Sequence, residues 1–139
     1  MPQSPATPLT LGAHHVGLTV PNLTDAANFF TQTLGFAVIA EKADYPALFV
    51  SDGTTMITLW QAVNGKDATP FNRKTNIGLH HIAFKVADAN ALRSLYGTLQ
   101  NTPKVKIEFA PEPLGASKTQ HFMCTIPGDI RVEFIAPAA

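Results

Sequence analysis

Residues 14–20, His-His-Val-Gly-Leu-Thr-Val, return as His80-His81-Ile82-Ala83-Phe84-Lys85-Val86, 66 positions later counting from His15 to His81. The offset extends further: Phe29-Phe30 recurs as Leu95-Tyr96 and Leu23 as Ala89. Such a period marks a duplicated supersecondary unit, and one unit alone is too small to bury its apolar side. The chain is therefore expected to form two like modules that share a core. Each module opens on a strand-borne histidine, so the pair can place ligands on opposite sides of a common cavity.

Charged residues make up 14% of the 139 positions, against roughly 25% in an average soluble domain. Ten basic and ten acidic residues cancel. That balance argues against a nucleic-acid or anionic-membrane surface, and the low charge fits a chain that covers part of itself with a partner. No apolar run reaches the length of a membrane span. Residues 1–9 lack a basic start and an apolar stretch, and they read as a disordered tail. The single cysteine, Cys124, allows no internal disulfide, so a reducing cytoplasmic setting is expected.

In the first copy, His15, Gly17 and Thr19 alternate with Val16, Leu18 and Val20, the pattern of a half-buried strand. Asn22 or Thr24 can cap a helix beginning at Asp25, and Gly35 is placed to end it. Strands are expected over 36–41, 47–50 and 55–60, the last two joined by a hairpin at Asp52-Gly53. The second copy repeats this order: a strand over 81–86, a helix over 89–100, then strands over 105–109, 121–126 and 130–135. Pro127-Gly128-Asp129 makes its last turn. Residues 61–78 read as the linker and 110–119 as a long loop. The chain is thus one domain over 10–139, made of βαβββ modules at 10–62 and 78–137, with each helix covering one sheet face.

The opposite face carries the chemistry. His15 and His81 share it, as does Glu133, an acid in an apolar strand that must find a cation or strong donors. Counting from the turn glycines Gly53 and Gly128, the first-module counterpart of Glu133 is Thr58. Two histidines and a carboxylate on stiff strands form a facial triad with positions left for water and substrate. His14 and His80 alternate away, with strand-end capping or an outer hydrogen bond as their roles. His121 and Met123 share a face on the neighbouring strand; His121 is a candidate acid or base, and Arg131 a candidate carboxylate or phosphate anchor. Trp60 and Phe71 are candidate pocket walls. There is no phosphate-cradling glycine loop, serine nucleophile elbow or CxxC pair.

The segments His15-Val16-Gly17-Leu18-Thr19-Val20-Pro21-Asn22-Leu23, Gly78-Leu79-His80-His81-Ile82-Ala83-Phe84 and Pro127-Gly128-Asp129-Ile130-Arg131-Val132-Glu133-Phe134 resemble the vicinal oxygen chelate superfamily. That superfamily includes glyoxalase I, extradiol dioxygenases, fosfomycin-resistance transferases, methylmalonyl-CoA epimerase and metal-free bleomycin-resistance proteins. The resemblance covers nearly all of residues 11–137. It implies an α+β fold whose paired mixed sheets enclose a metal cavity. It implies one divalent ion (zinc, nickel, manganese or iron) on His15, His81 and Glu133, and a homodimer with shared sites. The implied activity is that of a lyase or isomerase that chelates adjacent oxygens of a small substrate, with Glu133 and His121 catalytic and Arg131, Met123, Thr58 and Trp60 against the substrate. Two alternatives are an Fe(II) dioxygenase and a protein that sequesters a small ligand. Thr58 stands where glyoxalase I has a fourth carboxylate ligand, and Met123 where extradiol dioxygenases have a tyrosine.

Overall fold

The computed structural model describes residues 7–138; of the expected tail, residues 1–6 lie outside the described residues. The strands are β1 (His15–Val20), β2 (Ala37–Lys42), β3 (Ala47–Ser51), β4 (Met56–Gln61), β5 (Ile82–Lys85), β6 (Lys106–Pro113), β7 (Gln120–Ile126) and β8 (Ile130–Ala136). Helix α1 (Leu23–Asn28) follows β1, and α2 (Ala89–Gln100) follows β5. The strands form two four-stranded sheets with the same topology, β1-β4-β3-β2 and β5-β8-β7-β6. In each, the first strand runs parallel to the last and the other pairings are antiparallel. This is the expected α+β fold of two βαβββ halves. No helix among the described residues is long and apolar enough to cross a membrane.

Alternation decides which face each helix covers. Leu18 and Val20 of β1, Ile57 and Leu59 of β4, Phe122 and Cys124 of β7, and Val132 and Phe134 of β8 all enter one core. Asn22 caps α1 by accepting from the Asp25 N–H at 3.0 Å, and Asp88 caps α2 by accepting from the Ala91 N–H at 2.8 Å. An aromatic chain runs across the two halves. Phe30 meets Phe36 at 5.2 Å between ring centroids, Phe36 meets Phe84 at 5.8 Å, and Phe84, Phe134 and Phe122 stack in sequence. Gly128, with φ +97°, seals a second junction, because a Cβ there would lie 2.8 Å from Pro21 Cδ.

Two elements differ from the sequence expectation. The first helix does not run regularly to Leu34; it widens into a π-helical turn over Phe29–Thr33. Adjacent side chains splay less in a wider turn, and Phe29 and Phe30 are both buried as a result. The expected loop over 110–119 is shortened, because β6 continues to Pro113. Two register slips, at Ile107/Phe109 and Phe109/Glu112, absorb the irregular backbone. Pro111 and Pro113 are tolerated because β6 is an edge strand and needs no second partner.

Because Phe84 belongs to both the inter-module aromatic chain and the β5 core, Phe84→Ala should cost about 3–5 kcal/mol in urea unfolding, with exposed Ser94→Ala near neutral. A loss below about 1 kcal/mol would show that the halves do not share a working core.

Candidate functional site

Register places the two module openings in matching positions. Ala83 of β5 and Met123 of β7 flank Glu133 on β8, while Gly17 of β1 and Phe49 of β3 flank Thr58 on β4. His81 lies two residues before Ala83, and His15 two before Gly17. The backbone thus offers the same pair of stations in each half, filled by His81 with Glu133 in one and His15 with Thr58 in the other.

Glu133 is 8% exposed, yet both its oxygens are engaged. Oε1 lies 3.1 Å from His81 Nε2, and Oε2 lies 2.6 Å from His121 Nδ1. The His121 ring packs edge-on against Phe109, and its Nε2 lies 4.0 Å from Glu112 Oε1. Arg131 Nη1 lies 3.2 Å from His80 Nδ1 and carries only donors, so that nitrogen accepts. His80 Nδ1 is also 2.8 Å from His81 Nδ1, which must then hold the proton. His81 Nε2 faces a carboxylate oxygen, a contact that needs a cation or a proton between the two atoms.

Arg131 does not stand free as an anchor. Its Nε and Nη2 grip Glu108 at 3.0 and 2.8 Å, its Nη1 donates to the His80 carbonyl at 3.2 Å, and Arg73 adds a bond to Glu108 at 2.8 Å. Hydrogen bonding from Arg131, above all, holds the Glu108 carboxyl below the usual range. Desolvation, then the Arg131 charge, lowers His80. Burial pushes the Cys124 thiol up to about 12, so it is a core residue and not a nucleophile.

The first half is neutral. Thr58 is buried, and its hydroxyl accepts from Trp60 Nε1 at 2.9 Å. Glycine at position 17 leaves room for this pair, since a Cβ there would approach Thr58 Oγ1 to 3.1 Å. Trp60 is braced by Tyr45 and Phe49. His15 is exposed and meets the ring of His14, Nδ1 to Nδ1, at 2.9 Å. The structure therefore brings His81, His121, Met123 and Glu133 together on one face, and Thr58 with Trp60 on another sheet. Among the described residues, no three His, Cys, Asp or Glu side chains gather around a common ion position. The two histidines at Glu133 take opposite oxygens. Glu108, Glu112 and Arg73 were not singled out from sequence. Their only signal was charge on exposed-looking positions, and their contacts depend on how β6 and the linker lie across the sheet.

A family model described as the Glyoxalase/Bleomycin resistance protein/Dioxygenase superfamily matches residues 12–134. No curated protein matches the sequence. Among solved structures, a glyoxylase/bleomycin resistance protein/dioxygenase domain from Frankia sp. EAN1pec superposes with a TM-score of 0.76 at 21% identity, covering 93% of each chain. A lactoylglutathione lyase from Agrobacterium tumefaciens gives 0.70 at 14% identity, covering 93% of this chain and 96% of the other. The fosfomycin resistance protein FosX from Listeria monocytogenes gives 0.73 at 14% identity, covering 94% and 96%. At these identities the structural likeness speaks for the fold. The sequence match spans nearly the whole chain, and the protein belongs to the Glyoxalase/Bleomycin resistance protein/Dioxygenase superfamily.

Proposed function

We propose that the protein is a divalent-metal-dependent enzyme of the lyase or isomerase type that binds adjacent oxygens of a small, oxygen-rich substrate. The observation that carries this reading is the 3.1 Å approach of His81 Nε2 to Glu133 Oε1, two donor atoms of metal-binding type. Two neighbouring ligands of one ion, with bonds of about 2.1 Å, stand about 3.0–3.4 Å apart, so the pair fits a metal. His15 is the third ligand. Zinc, nickel, manganese and iron all suit a set of two imidazoles and one carboxylate.

A bound ion of this kind supplies Lewis-acid polarisation of the substrate oxygens. The protein's residues do the rest. His121 holds the far oxygen of Glu133 and so fixes the carboxylate's orientation, and the His121–Glu133 pair is the candidate for moving a proton. The Thr58 hydroxyl accepts from Trp60 and keeps its own hydrogen to donate to a substrate oxygen, a role a fourth carboxylate could not fill. Met123 forms an apolar floor beside Glu133.

His15 and Glu133 belong to different sheets, so the reading includes a homodimer in which each site takes His15 from one subunit and His81 with Glu133 from the other. Support comes from β1 and β5, which each leave one edge unpaired, and from Leu11 and Ile77, which occupy matching repeat positions and are both fully exposed. A reducing, cytoplasmic setting suits the lone buried Cys124.

A second reading, a metal-free protein that sequesters a small ligand, is favoured by the lack of three gathered donors among the described residues of one chain. Metal analysis of tag-free protein separates the two. About one divalent ion per chain is expected, lost in His81→Ala without unfolding; an unchanged metal content in that variant sinks the ligand set. Iron with oxygen uptake on substrate addition would move the assignment to the dioxygenase alternative.

Sharing of the site has its own test. His15→Ala and Glu133→Ala subunits, each inactive, are mixed and allowed to reassort. About half the dimers are then mixed, each with one intact site, and ~25% of wild-type metal binding should return. No recovery would place every site within a single chain.

A further inference from the structure

Two residues before Glu133, the same sheet face runs into a groove of about 480 Å³ between β6–β8 and linker residues 71–74. Its walls carry Arg73, Lys74, Lys106 and Arg131 against Glu108 and Asp129. The lining is therefore two charges positive in a chain whose ten cations and ten anions cancel. The carboxylates do not use up the cations evenly. Glu108 is claimed by both arginines, while Lys106 reaches Asp129 only at 3.9 Å, with both side chains well exposed. Among the described residues Lys74 forms no ion pair with a carboxylate.

We propose that this groove is the subsite for a phosphate group on the substrate, the Glu133 end taking the paired oxygens and Lys74, Lys106 and Arg73 taking the phosphate. The proposal rests on the metal-site reading above and names its substrate class, a small phosphomonoester. Three features of the groove specify that class. The planar fork of Arg131, which would suit a carboxylate, is already occupied by Glu108, and what remains are compact ammonium charges and the free edge of Arg73. The surplus of two positive charges matches a phosphomonoester, which carries about −1.5 to −2 at neutral pH, better than a single carboxylate. The Thr125 hydroxyl, also lining the groove, adds a neutral donor.

The probe is inorganic phosphate, titrated calorimetrically at low salt into the intact protein, with acetate as the comparison anion. Phosphate should bind at least about tenfold more tightly than acetate, and Lys74→Ala/Lys106→Ala should weaken phosphate by about tenfold or more. The charge-keeping pair Lys74→Arg/Lys106→Arg should retain binding, which separates lost charge from damaged folding. Equal binding of the two anions overturns the subsite. So does phosphate binding indifferent to the alanine pair, as expected if a metal at Glu133 alone held it. Metal content measured on the same samples keeps the two readings apart. A metal-loaded protein that ignores phosphate loses only the subsite, and a metal-free protein whose phosphate binding follows the lysines loses only the metal.

Discussion

A carboxylate in the middle of an apolar strand is the constraint around which this sheet is built. Glu133 sits on β8 between Val132 and Phe134, both in the core. Left alone there, its charge would cost several kcal/mol. Its neighbours remove that cost from two directions, His81 from the end of β5 and His121 from β7. The strand order β5-β8-β7 is what makes this possible, because Glu133's strand lies between the two histidines. Two residues away, Arg131 meets the same demand by gripping Glu108 of the edge strand. One face of the sheet is consequently apolar and helix-covered, and the other is an ordered array of charge.

The duplicate sheet keeps the geometry and discards the charge. Thr58 occupies the station of Glu133, and a neutral hydrogen bond to Trp60 satisfies it. Gly17 leaves room for that exchange, since a Cβ there would come within 3.1 Å of the hydroxyl. The difference is physical: one half presents a buried carboxylate between two imidazoles, and the other a buried neutral hydroxyl. Because the halves share an aromatic core through Phe30, Phe36 and Phe84, the two faces are rigidly related within a chain. Strands β1 and β5 each stand at the end of their sheet with one edge unpaired.

Much of this was legible in the sequence. Alternation along β1, β5, β7 and β8 depends only on which residues must leave water, so it set Glu133 opposite Val132 and Phe134 and gave His121 and Met123 one common face, which the strand register then placed beside Glu133. Helix α2 covers the expected 89–100, and the turn glycines Gly53 and Gly128 align Thr58 with Glu133 as the register does. These are local properties, determined by neighbours in the chain. The tertiary structure alone decided the π-helical turn at Phe29–Thr33, the extension of β6 past its two bulges, the hold of Arg131 on Glu108 and the seat of His121 on the second oxygen of Glu133. Each depends on where a bulged edge strand or a linker comes to rest against a distant residue. No periodicity encodes that, because the energies that fix it arise only when packed surfaces and buried charges meet.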